Sequence, residues 1–339
     1  MKKSQLIILL PAIFLSGCAA STPEPTSTPS PAPTQTSTPI PQLNTQPDMI
    51  LEISNTADAF SDPYGLAVNS AGNIYVNDAG KSRVMIFDNA GNFLSKWDTK
   101  GSGEGEFNSL GFGGLAIDGN DNVFVVDNGN FRIQKFDSQG KLITQWGSEG
   151  REDGQFTRAI GIAVDKDGNV YVTDDGNPFV QKFDNNGKFL LKFGGAGTDK
   201  GQFRHATGIA VDAQGNIFVA DYEAKRVQKF SADTSFITSW TMGMDIKTKG
   251  TPEAVAVDGA GNVYVTDYDL GRLQVFDNNG QFLWAWGGKE MLFKGQSASP
   301  SMPTVTFILW AKEAGSYRFS TYLDPTFFRI IFRSPAKHL

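Results

Sequence analysis

The sequence contains a single cysteine, Cys18, and only two histidines, His205 and His338. One thiol forms no internal disulfide, and His205 alone in the repeated region does not supply a histidine-rich zinc site. Basic residues are also fewer than acidic ones, with 30 Lys and Arg against 36 Asp and Glu, a net charge of −6. Nucleic-acid binding needs clustered cations to neutralise phosphates, so we expect no nucleic-acid partner.

The lone cysteine follows an N-terminal targeting pattern. Lys2 and Lys3 precede a short apolar run from Leu6 to Leu15, and Leu-Ser-Gly directly precedes Cys18. A basic start and a short apolar run are typical of a signal peptide. The ending "LSGC" resembles the lipobox of bacterial lipoproteins. This resemblance implies a signal peptide at 1–17, a diacylglycerol on Cys18, and an extracytoplasmic protein anchored by lipid to a membrane of the bacterial cell envelope.

A polar segment separates this anchor from the rest of the chain. Residues 21–47 consist mainly of Ser, Thr, Pro and Gln. Such a segment buries too little apolar surface to fold, and its prolines favour an extended chain. We therefore expect residues 18–48 to form a lipidated cysteine and a disordered stalk.

Residues 49–288 contain a repeat. Aligning the units on one apolar position gives steps of 49, 47, 47 and 46 residues, at Leu66, Leu115, Ile162, Ile209 and Val255. Each unit reads like "GIAVDKDGNVYVTD" followed by "VQKFDNNGKFLLKFGG", which is four short apolar strands joined by Asp, Asn and Gly turns. Four strands repeated at this period predict an all-β fold, a β-propeller of four-stranded antiparallel blades.

The linkers between units are the most specific feature of the repeat. Gly147–Phe156 reads "GSEGREDGQF" and Gly194–Phe203 reads "GGAGTDKGQF", each followed closely by "GIAVD". These features resemble the NHL repeat, whose propellers have six blades and are grouped with the TolB-like superfamily. The linker before the fifth unit lacks Gly-Gln-Phe. The sequence supplies five units, so the resemblance implies a sixth, which the strand-like segment Met49–Ile53 is expected to complete.

Where the sixth unit is expected, residues 289–339 do not match the repeat. If the reading frame slipped before Ser297, the codons permitted between Ser297 and Thr321 allow "GIAVDADGNIYIVGERGGKLQVFD", which aligns without a gap with residues 254–277, "AVAVDGAGNVYVTDYDLGRLQVFD". We therefore interpret residues 289–339 as an out-of-frame remnant of blade six. The alternative is a genuine divergent tail. Loss of that blade is expected to leave sheet edges open at blades 1 and 5.

An aspartate ends the second strand of every unit, and in four units an arginine follows five residues later. This fixed spacing predicts internal ion pairs that brace each blade. The pairs are Asp78 with Arg83, Asp127 with Arg132, Asp221 with Arg226, and Asp267 with Arg272. The third unit has Phe179 at the arginine position, so we expect Asp174 and Asp175 to lack the local cation, and Asp174 to have no partner.

The loops that enter each first strand and those between strands two and three should share one face of the propeller. A mixed charged and aromatic rim suits a protein or polysaccharide ligand, although each of these residues is equally compatible with a solvated loop. The candidate ligand-binding residues are Arg158, Asp174, Asp175, Asn177, Arg204, His205, Tyr222, Tyr268 and Asp269.

Two functions follow from these patterns. The first is a non-catalytic binding platform in the envelope, with no catalytic residue, metal or cofactor assigned. The alternative is a propeller hydrolase or lyase with a divalent cation held by carboxylates in the central channel. Asp–Arg pairing distinguishes them, because carboxylates bound to arginines are not available to a cation.

Overall fold

The computed structural model describes residues 51–52, 60–242, 250–269, 272–287, 305–309 and 328–332. Cys18, the predicted signal peptide and the predicted stalk lie outside these residues, as does most of 289–339. No helix in the described part of the chain is long and apolar enough to cross a membrane.

Five four-stranded antiparallel sheets form five blades, each with its strands in sequence order. The strands of blade 1 are Pro63–Val68, Ile74–Asp78, Arg83–Phe87 and Phe93–Trp97. Those of blade 2 are Leu115–Ile117, Val123–Asp127, Arg132–Phe136 and Leu142–Trp146. Those of blade 3 are Ala159–Val164, Val170–Asp174, Asn177–Phe183 and Phe189–Gly194. Those of blade 4 are Ala206–Val211, Ile217–Asp221, Arg226–Phe230 and Phe236–Thr241. Those of blade 5 are Pro252–Val257, Val263–Asp267, Arg272–Phe276 and Phe282–Gly287. Short 3₁₀ helices at Ala79–Lys81 and Asn128–Asn130 follow the second strand of blades 1 and 2. The predicted β-propeller is therefore confirmed.

The Asp-x-x-Gly turns connect the first and second strands. In blade 3, Oδ1 of Asp165 accepts hydrogen bonds from the backbone N–H groups of Asp167 at 2.9 Å and Asn169 at 2.8 Å. Gly168 closes the turn with a φ of +82°, a conformation that glycine adopts without strain. These side chains therefore build turns at the same end of the blades. Asn69 takes the aspartate position in blade 1, and Asp121, with a φ of +61°, takes the glycine position in blade 2.

The hydrophobic core lies between adjacent blades. Phe107, Phe156 and Phe203, the aromatic residues that end the Gly-Gln-Phe linkers or stand in their place, are fully buried there. Met242 takes this position ahead of blade 5 and is also fully buried. The missing Gly-Gln-Phe of the fifth linker is thus replaced by another apolar side chain.

Two buried lysines join neighbouring blades at the end of the propeller that carries the Asp-x-x-Gly turns. Nζ of Lys135 in blade 2 contacts the Asn185 side chain of blade 3, and Nζ of Lys229 in blade 4 donates to the Asn278 carbonyl of blade 5 at 3.1 Å. Each lysine lies over a phenylalanine ring of its own blade. In blades 3 and 5 a tyrosine occupies that ring position, and its hydroxyl donates to the turn aspartate instead.

Blades 1 and 5 pack against each other. Phe60 and Phe87 of blade 1 share one buried cluster with Tyr264, Leu273 and Val275 of blade 5. Blades 1 and 5 therefore cover part of each other's apolar faces. The expectation of open sheet edges stays a prediction, because an edge is closed by backbone pairing and not by side-chain packing.

A further three-stranded sheet joins the beginning and the end of the chain. Leu51–Glu52 pairs antiparallel with Phe328–Phe332, which pairs in parallel with Val305–Leu309. The segment expected to complete blade six thus pairs with part of residues 289–339. The parallel pairing differs from the antiparallel order of the blades. The remaining residues of 289–339 lie outside the described part, and the reading-frame hypothesis stays a prediction.

Candidate functional site

The repeated aspartates are bound to arginines in four blades. Nε of the arginine lies 2.8 Å from Oδ2 of the aspartate in blade 1, 2.9 Å in blade 2, 3.2 Å in blade 4 and 3.1 Å in blade 5. The four aspartates are buried. A buried carboxylate needs such a partner, since removal from water otherwise disfavours its charge.

Each pair also holds the linker that enters its blade. In blade 2, Oδ1 of Asp127 accepts the backbone N–H of Asn108 at 3.1 Å. Arg132 donates to the carbonyls of Ser102 at 3.1 Å and of Glu106 at 2.8 Å. The ion pair is therefore a clamp on the loop that carries the rim residues.

Blade 3 builds the same clamp without an arginine, which corrects the expectation that Asp174 has no partner. Asp174 is 1% exposed, and its carboxylate accepts the N–H groups of Thr157 at 2.7 Å and Arg158 at 2.8 Å. It also accepts from the Thr157 hydroxyl at 2.8 Å and from Gly176 N–H at 3.0 Å. Nδ2 of Asn177 donates to it at 3.1 Å. Backbone and hydroxyl donors thus replace the guanidinium.

Asn177 is likewise a structural residue. It is buried, and its amide joins Asp174 to the linker carbonyl of Gly150, 3.3 Å away. Asn130, three residues after Asp127 in blade 2, makes the equivalent bridge to the carbonyl of Gly101 at 2.9 Å. Asp174 and Asn177 therefore point inward, and assigning them to ligand binding was wrong.

Asp175 begins a continuous run of rim side chains. Its backbone N–H donates to the carbonyl of Arg158 at 3.0 Å, which holds the two rim loops of blade 3 together. Its carboxylate contacts the guanidinium of Arg158 and the imidazole of His205. Because His205 belongs to blade 4, this carboxylate connects two blades.

The run continues through aromatic rings into blade 5. The rings of His205 and Tyr222 have centroids 5.5 Å apart, and those of Tyr222 and Tyr268 are 5.8 Å apart. Tyr268 is 45% exposed. Oδ2 of Asp269 lies 2.9 Å from Nζ of Lys225, so an ion pair also links blades 4 and 5.

We call this run, Arg158, Asp175, His205, Tyr222 and Tyr268, the blade 3–5 rim. The residues of this rim occupy equivalent positions of the repeat. Asp175, Tyr222 and Tyr268 each directly follow the clamp aspartate of their blade, and Arg158 and His205 occupy one equivalent position at the entry to the first strand. Of the other candidates, Arg204 pairs with Glu223 at 3.2 Å, with both side chains about half exposed.

Three further residues of this face were missed by the sequence analysis. The hydroxyl of Tyr64 donates to Oε1 of Glu253 at 3.2 Å, a contact that joins blades 1 and 5. The ring of Tyr64 lies edge-on to that of Phe112, at 5.1 Å, and Phe112 is 44% exposed. Tyr64 and Glu253 share one repeat position, but Gly, Ile and Thr occupy it in the other blades, so no pattern marked it.

The electrostatic environment changes along the face. Burial, reinforced by the charge of Arg158, lowers the pKa of His205 below its ordinary value. Burial, together with Tyr268, Glu253 and Asp269, raises the pKa of Tyr222. Burial therefore favours the neutral form of His205, whereas Glu253 and Asp269, which raise the pKa of Tyr222, carry negative charge.

The enzyme alternative depended on carboxylates that converge on a cation. In the residues that the structure describes, no group of three or more His, Cys, Asp or Glu side chains is placed to hold a metal ion. The aspartates considered for that role are bound to arginines, linker amides or both.

Comparison with known families identifies repeats in this chain. A model of the NHL repeat matches residues 156–183 and 203–230. A model described as a 6-bladed beta-propeller matches residues 60–137. The predicted NHL repeats are confirmed, and the described residues form five four-stranded blades. A search of curated proteins by sequence returned no significant match.

Solved structures with a similar fold include proteins of different roles. A streptogramin B lyase has a TM-score of 0.53 at 12% identity, with 70% of this chain and 72% of that chain covered. A chain of a nidogen/laminin complex has a TM-score of 0.51 at 18% identity, with coverage of 67% and 81%. A Bacteroides caccae protein of unknown function has a TM-score of 0.50 at 16% identity, with coverage of 68% and 83%. At such identities the likeness shows the fold alone.

Proposed function

We propose that this chain is a lipoprotein of the bacterial envelope, anchored through Cys18, whose propeller is a non-catalytic platform for a protein or glycan. The observation that carries the proposal is the blade 3–5 rim. Its five side chains contact one another across three blades, and Arg158 and Tyr268 are about half exposed. Arginine and tyrosine are the residues that most often dominate the energy of binding surfaces.

The clamps beneath the rim support this role. Each rim loop is fixed by a buried aspartate and by hydrogen bonds between the two loops, such as the one from Tyr222 N–H to the His205 carbonyl at 2.9 Å. A fixed surface loses little conformational entropy when a partner binds. The aspartates that the hydrolase or lyase alternative needed are the same ones used in these clamps, so a binding platform is the function we put forward.

Site-specific photo-crosslinking in living cells tests the proposal. A photoreactive amino acid replaces Tyr268 in the full-length chain, and in a matched strain it replaces Asp167, an exposed residue of the turn at the opposite end of blade 3. We expect an adduct at position 268 and none at 167, with sensitivity to protease or to glycosidases reporting its class. No adduct at 268, or the same adduct at both positions, contradicts the proposal.

A further inference from the structure

The part of the face that extends from blade 4 across blade 5 to blade 1 has a chemistry of its own. It presents the rings of Tyr222, Tyr268 and Tyr64, with the carboxylate of Glu253 bound to the Tyr64 hydroxyl. We name these four residues the tyrosine–glutamate arc. Phe112 adjoins it through its contact with Tyr64.

Aromatic faces and carboxylates attract the same kind of ligand. The face of an aromatic ring is electron-rich and binds cations, and the attraction grows when the cation is partly removed from water. A carboxylate beside the rings adds a direct charge interaction and a hydrogen-bond acceptor. At the arc, a cationic side chain therefore interacts favourably with the aromatic rings and with the carboxylate.

The charge near the arc has the sign that this ligand requires. Burial, followed by the charges of Tyr268, Glu253 and Asp269, raises the pKa of Tyr222, so both carboxylates act electrostatically on this ring. One neighbouring cation, Lys225, is held by Asp269 on the blade 4 side. Arg158, whose charge acts on His205, belongs to the blade 3 end of the rim. The arginine of the rim thus lies at the blade 3 end and the carboxylate of Glu253 at the blade 5 end, which favours a cation there.

We propose that the tyrosine–glutamate arc binds a lysine or arginine side chain of a protein partner. This inference rests on the proposed function and specifies its partner as a protein segment with an exposed cation. A neutral glycan stacks on the rings and donates hydroxyl hydrogens to the carboxylate, but it brings no positive charge to balance the carboxylate, which is why the arc favours the protein.

The test is a binding measurement on the detergent-solubilised full-length chain. The probe is fluorescein-labelled tetralysine, and its control is the same peptide with every lysine acetylated; both are followed by fluorescence anisotropy. We expect acetylation to weaken binding by about tenfold, the size that one or two cation–aromatic contacts give. Glu253→Gln, which keeps the shape of the side chain and removes its charge, is expected to weaken tetralysine by about fivefold. Tyr222→Leu removes one ring and leaves the carboxylate of Glu253 in place, and it should also weaken the binding of tetralysine.

A matched charge change controls for the net charge of the chain. Asp167→Asn removes one carboxylate at the opposite end of blade 3 and should leave tetralysine affinity unchanged. Equal binding of the acetylated peptide, or equal loss in Asp167→Asn and Glu253→Gln, overturns the inference. If tetralysine does not bind but the Tyr268 crosslink forms with a glycan, the inference fails while the binding platform stands. If neither occurs, both fail.

Discussion

Replacing Asp174 by alanine should destabilise the propeller about as much as replacing Asp127, even though blade 3 has no arginine in its clamp. The variant removes a buried carboxylate that accepts from the N–H groups of Thr157, Arg158 and Gly176, from the Thr157 hydroxyl, and from Asn177. A hydrogen bond to a charged group contributes about 1.5–3 kcal/mol, and such contributions do not add fully when the donors share one acceptor.

The loss is limited further because part of the loop regains water once the carboxylate is gone. We therefore expect the free energy of unfolding to fall by about 3 kcal/mol. In a domain of this size each kcal/mol moves the Tm by about 2–4 °C, so the Tm should fall by about 6–12 °C.

Thermal unfolding followed by circular dichroism at neutral pH measures this directly. Asp127→Ala is the comparison, and Asp167→Ala is the inert reference because its carboxylate lies in an exposed turn and pairs only with its neighbour Lys166. A Tm for Asp174→Ala that matches the reference and not Asp127→Ala would refute the reasoning, since it would mean that the five hydrogen bonds do not hold the loop.

Four further predictions follow from other parts of the chain. Cys18→Ala should abolish labelling by radioactive fatty acid and release the protein from membranes, and undiminished labelling contradicts the lipid anchor. Because burial lowers the pKa of His205, the unfolded chain binds a proton before the folded one as the pH falls below about 6.5, so the free energy of unfolding should decline from pH 7 to pH 5. His205→Gln should flatten that decline in urea unfolding. An unchanged pH dependence in the variant argues against a role of His205. Lys135→Met should cost about 1–2 kcal/mol in urea unfolding, and Phe124→Tyr added to it should restore part of the loss, because the hydroxyl then reaches the turn aspartate as it does in blade 3; additive losses contradict the exchange. Shifting the frame by one base near codons 288–297 of the gene should restore a repeat unit ending soon after "LQVFD", and its absence from the nucleotide sequence ends the hypothesis.

The sequence predicted those features of the fold that recur from one repeat unit to the next. Three of the five units have a turn aspartate followed by a glycine three residues later, and a one-residue change there would alter a strand connection. The five-residue spacing from Asp127 to Arg132 marks an ion pair because both residues face each other across one short loop. Repetition makes such features visible without any knowledge of the tertiary structure.

The sequence did not reveal the places where a polar group is satisfied by a different residue type in different blades. The Thr157 hydroxyl performs in blade 3 part of what an arginine does elsewhere, but it comes from the linker and not from the position five residues after the aspartate. Lys135 reaches across to blade 3 where a tyrosine hydroxyl would stay within its own blade. Neither exchange conserves residue type or spacing, so only the distances reveal that the same polar group is being satisfied.

The number of blades does not follow from the repeat for a related reason. Every blade presents the same positions to the blade that follows it: Ala210, Phe218 and Val227 of blade 4 pack against the buried residue that ends the next linker, Met242. Blade 5 offers the equivalent residues, Ala256, Tyr264 and Leu273, and they pack against Phe60, which precedes blade 1 as a linker aromatic precedes other blades.

Because all interfaces use one set of positions, no single unit specifies how many units close the ring. The number is set by small differences in the angle between blades, which side-chain size at the interface controls and a repeat period does not encode. Within the described residues, blades 5 and 1 therefore pack together through these same positions. A restored sixth unit would have to enter between blades 5 and 1, separating Phe60 from Leu273 and Tyr64 from Glu253. The Glu253 carboxylate would then no longer contact Tyr64, and the tyrosine–glutamate arc would be divided. The number of blades and the proposed cation site are therefore linked, and the nucleotide sequence near codons 288–297 tests both.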